Sequence, residues 1–247
     1  MDRLIYTAMT GAKHVFMQQA GTANNLANAS TVGFKAQEQR FRAVPVQGEG
    51  MPTRAFVVDA SVADVFDEGP VIFTGRNLDV SVQGRGWLAV QLPDGSEAYT
   101  RGGSLDTDVN GVLRTKGGLA VMGGGGPINI PPDNTIEIAE DGTISVVPTF
   151  GNRNGASSIG RLKLVNPDEA DLVRGADGLF RLRDGQAAPA SERVKVAPGS
   201  LEGSNVNVTD AMVNLISLSR QFEMQIKMLQ TADQNAQRAD QLLSLNA

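Results

Sequence analysis

Residues Asp106-Thr107-Asp108-Val109-Asn110-Gly111 set two acids and an amide at alternate positions, with glycine at the sixth. That is the opening of a calcium-binding loop of the EF-hand kind, which grips the ion through oxygens at those alternate positions. The loop also needs a bidentate carboxylate at its twelfth position, and here that position is Gly117. Strand-like residues flank the stretch where helices would be required. A hairpin turn is the expected structure.

The other candidates for chemistry fail on similar grounds. Gly123-Gly124-Gly125-Gly126 would cradle a phosphate only if a helix N-terminus followed. Pro127 and the strand-like Ile128-Asn129-Ile130 follow instead, so a flexible loop is expected. Gly84-Arg85-Gly86 lacks the third glycine and the helix of a dinucleotide site. His14 is the single histidine and lies on the polar side of an expected helix, which argues against a catalytic triad or a His-based zinc site. The absence of cysteine removes thiolate nucleophiles, Cys-ligated metals and disulfides. Paired-carboxylate hydrolysis of carbohydrate stays open as a rival reading, since acids are scattered through the centre, but no pair stands out. Trp87, Tyr6 and Tyr99 are too few and too dispersed for an aromatic binding platform, and Trp87 reads as core. No catalytic residue, metal or cofactor is expected.

The elements that would have to position such residues point to assembly instead. Leu4, Ile5, Ala8, Ala12, Val15, Phe16, Ala23 and Leu26 form one apolar stripe near the N-terminus. Ala211, Leu215, Leu218, Phe222, Ile226, Leu229, Ala232, Ala236, Ala239 and Leu243 form another near the C-terminus. Steps of three and four match an apolar helical seam, and neither stripe is stable alone in water. Pairing the first helix with the last is the economical solution. The polar sides of both helices are rich in amides, including Gln18, Gln19, Asn24, Asn25 and Asn28 on the first and Gln225, Gln230, Gln234, Asn235, Gln237 and Gln241 on the last. Amides exchange hydrogen bonds between subunits without the desolvation cost of ions, so this face is expected to lie against neighbours.

Between the helices the pattern changes. Leu78–Val82, Gly86–Val90, Thr135–Ile138, Thr143–Val147 and Gly160–Val165 alternate as half-buried strands do. Asp94-Gly95, Asn110-Gly111, Asp141-Gly142, Asp177-Gly178 and Asp184-Gly185 supply hairpin turns, hence antiparallel pairing. The expected fold is α+β, with N- and C-terminal α-helices paired in a coiled-coil-like module and a β-rich antiparallel central domain. The expected boundaries are residues 1–35 with 205–247 for the helical module, 36–74 for an extended connector with one short strand near Ala55–Val58, and 75–204 for the β domain. Asn28 and Gly33 are expected to end the first helix, and Thr209 or Asp210 to cap the last.

Length and charge set the remaining bounds. A chain of 247 residues can bury a substantial core, while 28 glycines and only 5% aromatics favour many turns over one deep core. A formal charge of −5 leaves no basic footprint for nucleic acid. No run of some 18 apolar residues suggests insertion in a membrane, and no continuous apolar segment suggests a cleavable leader.

Asn24-Asn25-Leu26-Ala27-Asn28-Ala29-Ser30-Thr31-Val32-Gly33-Phe34-Lys35 resembles the N-terminal signature of the flagellar rod and hook axial-protein family. Three further blocks agree in order: Thr74–Val80 running into Gly84-Arg85-Gly86-Trp87, Tyr99-Thr100-Arg101-Gly102-Gly103, and Leu201-Glu202-Gly203-Ser204-Asn205-Val206. The extreme ends, Met1–Met9 and Phe222–Ser244, are similar to those of the family's proximal-rod members. The resemblance implies a structural subunit of a periplasmic tubular rod that transmits torque, with the helices inside and the β domain outside. It implies export by the flagellar type III apparatus, with copies of itself and other proximal and distal rod subunits as partners. Together the stripes and the signature mark an expected assembly interface of Leu4, Ile5, Ala12, Val15, Phe16, Asn24, Asn25, Leu26, Asn28, Gly33, Phe34, Leu215, Leu218, Phe222, Ile226, Leu229 and Leu243.

Overall fold

The computed structural model describes residues 2–45, 55–132, 134–148 and 157–244. The fold is α+β. The apolar stripes at the two ends become α1 (Asp2–Ala27) and, last in the chain, α2 (Val208–Ser244). The chain between them forms β1 (Gln37–Pro45), β2 (Ala55–Asp64), β3 (Val71–Phe73), β4 (Val80–Gln83), β5 (Trp87–Gln91) and β6 (Glu97–Thr100). Next come β7 (Leu105–Thr107), β8 (Leu113–Thr115), β9 (Ala120–Gly123), β10 (Gly126–Pro127), β11 (Asn134–Ile138) and β12 (Thr143–Pro148). The series closes with β13 (Ser157–Arg161), β14 (Leu164–Val165), β15 (Leu172–Arg174), β16 (Phe180–Leu182), β17 (Lys195–Pro198) and β18 (Ser200–Glu202). Among the described residues every strand pairing is antiparallel.

These elements sort into two compact units. A helical unit gathers α1, β1, β2 and α2. A β unit gathers residues 66–205 together with the six-residue segment Ser30–Lys35.

In the helical unit α1 lies against α2, and the hairpin of β1 and β2 lies against α1. Residues 36–74, expected to be an extended connector, thus contain a long two-stranded ladder running from Gln37 opposite Asp64 to Pro45 opposite Ala55. The physical reason lies in the face turned to α1. Gln37, Gln39 and Phe41 alternate along β1; Asn25 bonds both ways to the Gln37 backbone at 2.8 and 2.9 Å, Gln39 lies beside Gly21, and Phe41 meets the His14 ring edge-on at 5.3 Å. Gln37 meets α1 through its backbone while its side-chain amide reaches Asp64 at 3.4 Å, and Gln39 is an amide as well, so the period-two signal is polar and hard to see.

The β unit is built on a sheet of order β15-β16-β6-β5-β9-β8-β7, with β10 added to β9 and β14 to β5. A three-stranded sheet, β11-β12-β13, and two short pairs, β17 with β4 and β18 with β3, complete it. Leu88, Leu105, Leu113, Val121, Ile144 and Leu164 fill one core cluster. Trp87 sits in a second, with Ala89, Tyr99, Val165 and Phe180, and is buried as its lone occurrence suggested. The glycines of all five expected turns have positive φ. The span Gly160–Val165, read as one strand, is two. It breaks at Leu162-Lys163, where the chain leaves the three-stranded sheet and joins β5. Gly123–Gly126 is a tight turn joining β9 to β10. The stretch around Asp108 is a hairpin turn, with its carboxylate 3.0 Å from Arg114.

The helix ends also differ in detail from expectation. α1 stops at Ala27, where the Asn28 side chain donates to the Asn24 carbonyl at 3.0 Å, and Gly33 lies beyond it. The first turn of α2 is capped by Asn207, whose Oδ1 accepts from Thr209 N at 3.0 Å and Asp210 N at 3.4 Å. An asparagine caps as well as an aspartate or serine, and placing the cap here extends the helix into Val208.

Candidate assembly site

The residues expected to form the seam fall into three groups. Ala12 and Val15 are buried, as is Ala8. Ile5, Leu26, Leu215, Leu218, Phe222, Ile226 and Leu229 are half-buried, and Phe16 is 61% exposed with its ring 6.5 Å from that of Phe222. The side chains of Leu4 and Leu243 lie outside the described residues. Asn24 is exposed, whereas Asn25 is committed to β1 of its own chain. Gln225 likewise packs beside Gly11 of α1. Part of the amide set therefore serves contacts within the chain. The faces left open carry Tyr6, Met9 and Met17 on α1 and Met212, Val213, Ile216, Met224 and Met228 on α2.

Gly33, Phe34 and Lys35 belong instead to the β unit. Lys35 and Glu202 form an ion pair at 2.6 Å, with side chains 1% and 2% exposed. Arg101 reaches the other Glu202 oxygen at 2.9 Å. Burying three charges is costly unless each finds partners, and the backbone supplies them. Gly69 N donates to Glu202 Oε1, Lys35 donates to the Asp67 carbonyl at 2.7 Å, and Arg101 donates to the carbonyls of Val82 and Gly84. The Arg101 guanidinium also lies 5.5 Å from the Trp87 ring centre. Burial pushes the Lys35 ammonium below its ordinary range, and the hydrogen bond and charge of Glu202 act against that.

Backbone geometry locks the same clasp. Gly33 N donates to the Glu202 carbonyl at 2.8 Å, and Asn205 N donates to the Phe34 carbonyl. Gly33 has φ of 69°, and a Cβ there would fall 2.3 Å from the Arg101 carbonyl carbon. Only glycine fits that approach. Arg174 stacks over Phe34 at 5.0 Å and over Phe180 at 4.8 Å. The clasp thus ties residues 33–35 to residues 202–205, the segments that lead out of α1 and into α2. A signal existed: Lys35, Arg101 and Glu202 each stand within two residues of a glycine in a signature block.

Among the described residues no group of three or more acids or histidines is placed to hold a metal, and no helix is long and apolar enough to cross a membrane. What the site offers is paired segments and open apolar faces, which are features of a protein that joins others.

Comparison with known proteins defines the class. Residues 5–35 match the family described as flagella basal body rod protein, residues 81–146 the flagellar hook protein FlgE/F/G D1 domain, and residues 197–242 the flagellar basal body rod FlgEFG protein C-terminal region. Over the whole of both chains the sequence is 46% identical to the flagellar basal-body rod protein FlgF of Escherichia coli and 44% identical to that of Salmonella typhimurium. Identity to a FlgG of Buchnera aphidicola is 32%, over 89% of this chain and 92% of that one. The chain belongs to the FlgF family of flagellar basal-body rod proteins. It is a structural subunit of the rod and is located there.

Proposed function

We propose that the chain is a non-catalytic building block of the proximal rod, which adds to copies of itself and to other rod subunits through α1 and α2. The observation that carries this reading is the open apolar face of the helical unit, with Tyr6, Met9, Phe16, Met212, Val213, Ile216 and Met224 all exposed. A folded protein rarely leaves so many large apolar residues to water unless a partner covers them. On this reading the helices form the inner wall of a tube and the strands its outside. The rod would cross the periplasm and carry torque, and its subunits would leave the cytoplasm through the flagellar type III apparatus. The proximal position is supported by the end-to-end similarity to FlgF proteins, since α1 and α2 are the parts that would decide which subunit stacks on which.

The test is Ile216→Asp, which puts a carboxylate on the open face without touching a buried residue. The chain is expected to fold and be exported, while cells that carry it build no rod and do not swim. A strain lacking the protein is expected to stop before the distal rod subunits add. Normal swimming with Ile216→Asp, or a deletion strain whose rod ends just below the hook, contradicts the proposal.

A further inference from the structure

We propose a second contact between copies of this chain, made by the β unit: the edge strand β3 of one copy seats in an apolar groove of the next. The inference rests on the reading that copies stack in a rod.

Val71, Ile72 and Phe73 are 63%, 56% and 81% exposed. Their strand pairs with β18 alone, and its neighbours Pro70 and Thr74 bond to Gly203 and Gly199 on that side. By the alternation of an antiparallel ladder, the backbone groups of Val71 and Phe73 face the open edge. Proteins usually blunt such an edge with charge, proline or a covering loop. Here it is three consecutive apolar residues.

The same unit carries an open groove of about 730 Å³, lined on its apolar side by Val32, Leu92, Pro93, Leu119, Leu179 and Leu201. Charge matches the two surfaces. Asp67 and Glu68 precede β3 across Gly69 and Pro70. Lys116 stands on the groove's rim, and Asp177, the acid in the groove's lining, is already held by Arg181, which leaves Lys116 as the rim charge outside the ion pairs of the described residues. Seating β3 in the groove of a second copy brings those carboxylates to that ammonium. The groove adjoins the edge, since its Leu201 lies opposite Ile72 of β3, but the two present different residues. A reciprocal exchange would stop at a dimer, whereas a head-to-tail contact takes the edge of one copy and the groove of the next and repeats without closing. That is the heterologous geometry a filament requires. Edge-to-edge pairing of two β3 strands would stop at a dimer.

The absence of native cysteine makes the test direct. Two tagged full-length copies, one Phe73→Cys and one Leu119→Cys, are produced in the same cells, and isolated basal bodies are oxidised. Mixed disulfide dimers are expected only when both copies are present, and a chain carrying both substitutions should give a ladder of multimers. Self-linking of Phe73→Cys alone overturns the proposal, as does an assembled rod holding both copies without a cross-link. In that second case the rod reading stands; absence of the unsubstituted tagged chain from basal bodies would overturn both. A charge exchange at exposed positions gives an independent check. Glu68→Lys and Lys116→Glu should each lower incorporation several-fold, and together they should restore it. No recovery in the double variant also overturns the contact.

Discussion

The two units bury different things. In the β unit, the β3 edge apart, large side chains fill the inside, with Leu88, Leu105, Leu113, Ile144, Leu164 and Tyr99 almost wholly withdrawn from solvent. In the helical unit the fully buried residues among those described are small, Ala8, Ala12, Val15, Ala211 and Ala232, while Phe16, Met212, Ile216 and Met224 stay exposed. Hydrophobic stabilisation scales with apolar area removed from water. The β unit therefore completes its fold within one chain. On the proposed reading the helical unit gains most when its exposed apolar residues are covered by neighbours.

The largest expected effect breaks the β unit from within. Glu202→Ala leaves Lys35 and Arg101 buried without their carboxylate, and losing one partner of such a cluster typically costs about 3–5 kcal/mol. Denaturant unfolding of the full chain, followed by Trp87 fluorescence, should move by that amount. Ile216→Asp should leave the same transition within about 0.5 kcal/mol, as surface changes usually do. Equal effects from the two would erase the distinction between the units.

A truncation series sharpens it. Leu113→Ala removes a fully buried side chain and should cost roughly 2–5 kcal/mol in the isolated chain. Ile226→Ala, from a half-buried site on α2, should cost about 1 kcal/mol there. For incorporation into rods the order should reverse, with Ile226→Ala the more damaging of the two among chains that reach the rod. Quantifying each variant in isolated basal bodies against its stability in solution checks this directly.

How much of this was legible depends on what each contact is made of. The helices, the turns and most strands of the β unit were readable because apolar period and turn chemistry agree, as in Leu78–Val82 beside Asp94-Gly95 and Asp141-Gly142. The β1–β2 hairpin was not, because Gln37 and Gln39 put amides where a strand pattern looks for apolar residues. The clasp was hidden for another reason. Lys35, Arg101 and Glu202 are far apart in sequence, and charged residues beside glycine ordinarily read as solvated turns. Only their convergence turns three unremarkable positions into a buried network. The apolar stripes showed which residues want burial, and could not tell burial within the chain from burial between chains.

A pH series separates the units through Tyr99, which sits in the core with its hydroxyl accepting from Ala188 N at 2.7 Å. Burial is the main cause that pushes this phenol up to about 12. The unfolded chain releases the proton near the ordinary value of 10 while the folded chain still holds it, so stability falls as pH rises from about 10 to 12, by roughly 2–3 kcal/mol in all. Lys35 acts with the opposite sign: its lowered value means the folded chain gives up that proton first, which favours folding as pH rises towards the ordinary lysine range. Tyr99→Phe isolates the phenol. Its stability should drop less steeply between pH 10 and 12 than that of the native chain, while the helical signal changes little between them.

The smallest expected effect belongs to the helical unit. Asn207 caps α2 through its side-chain oxygen, and Ala211 N also donates to its carbonyl at 2.9 Å. Asn207→Ala removes the side-chain acceptor and keeps the backbone one, so it should cost about 1 kcal/mol. In the β unit a loss of that size would be shared by a cooperative core. Here the first turn of α2 has exposed residues at Val208, Thr209 and Asp210 and a single buried neighbour, Ala211. Opening of that turn should therefore be local. Amide exchange should quicken about five-fold at residues 209–212 and stay unchanged in β5, β6 and β9. If protection falls across the β unit as well, the two units are one cooperative body, and the division between a finished domain and an unfinished interface fails.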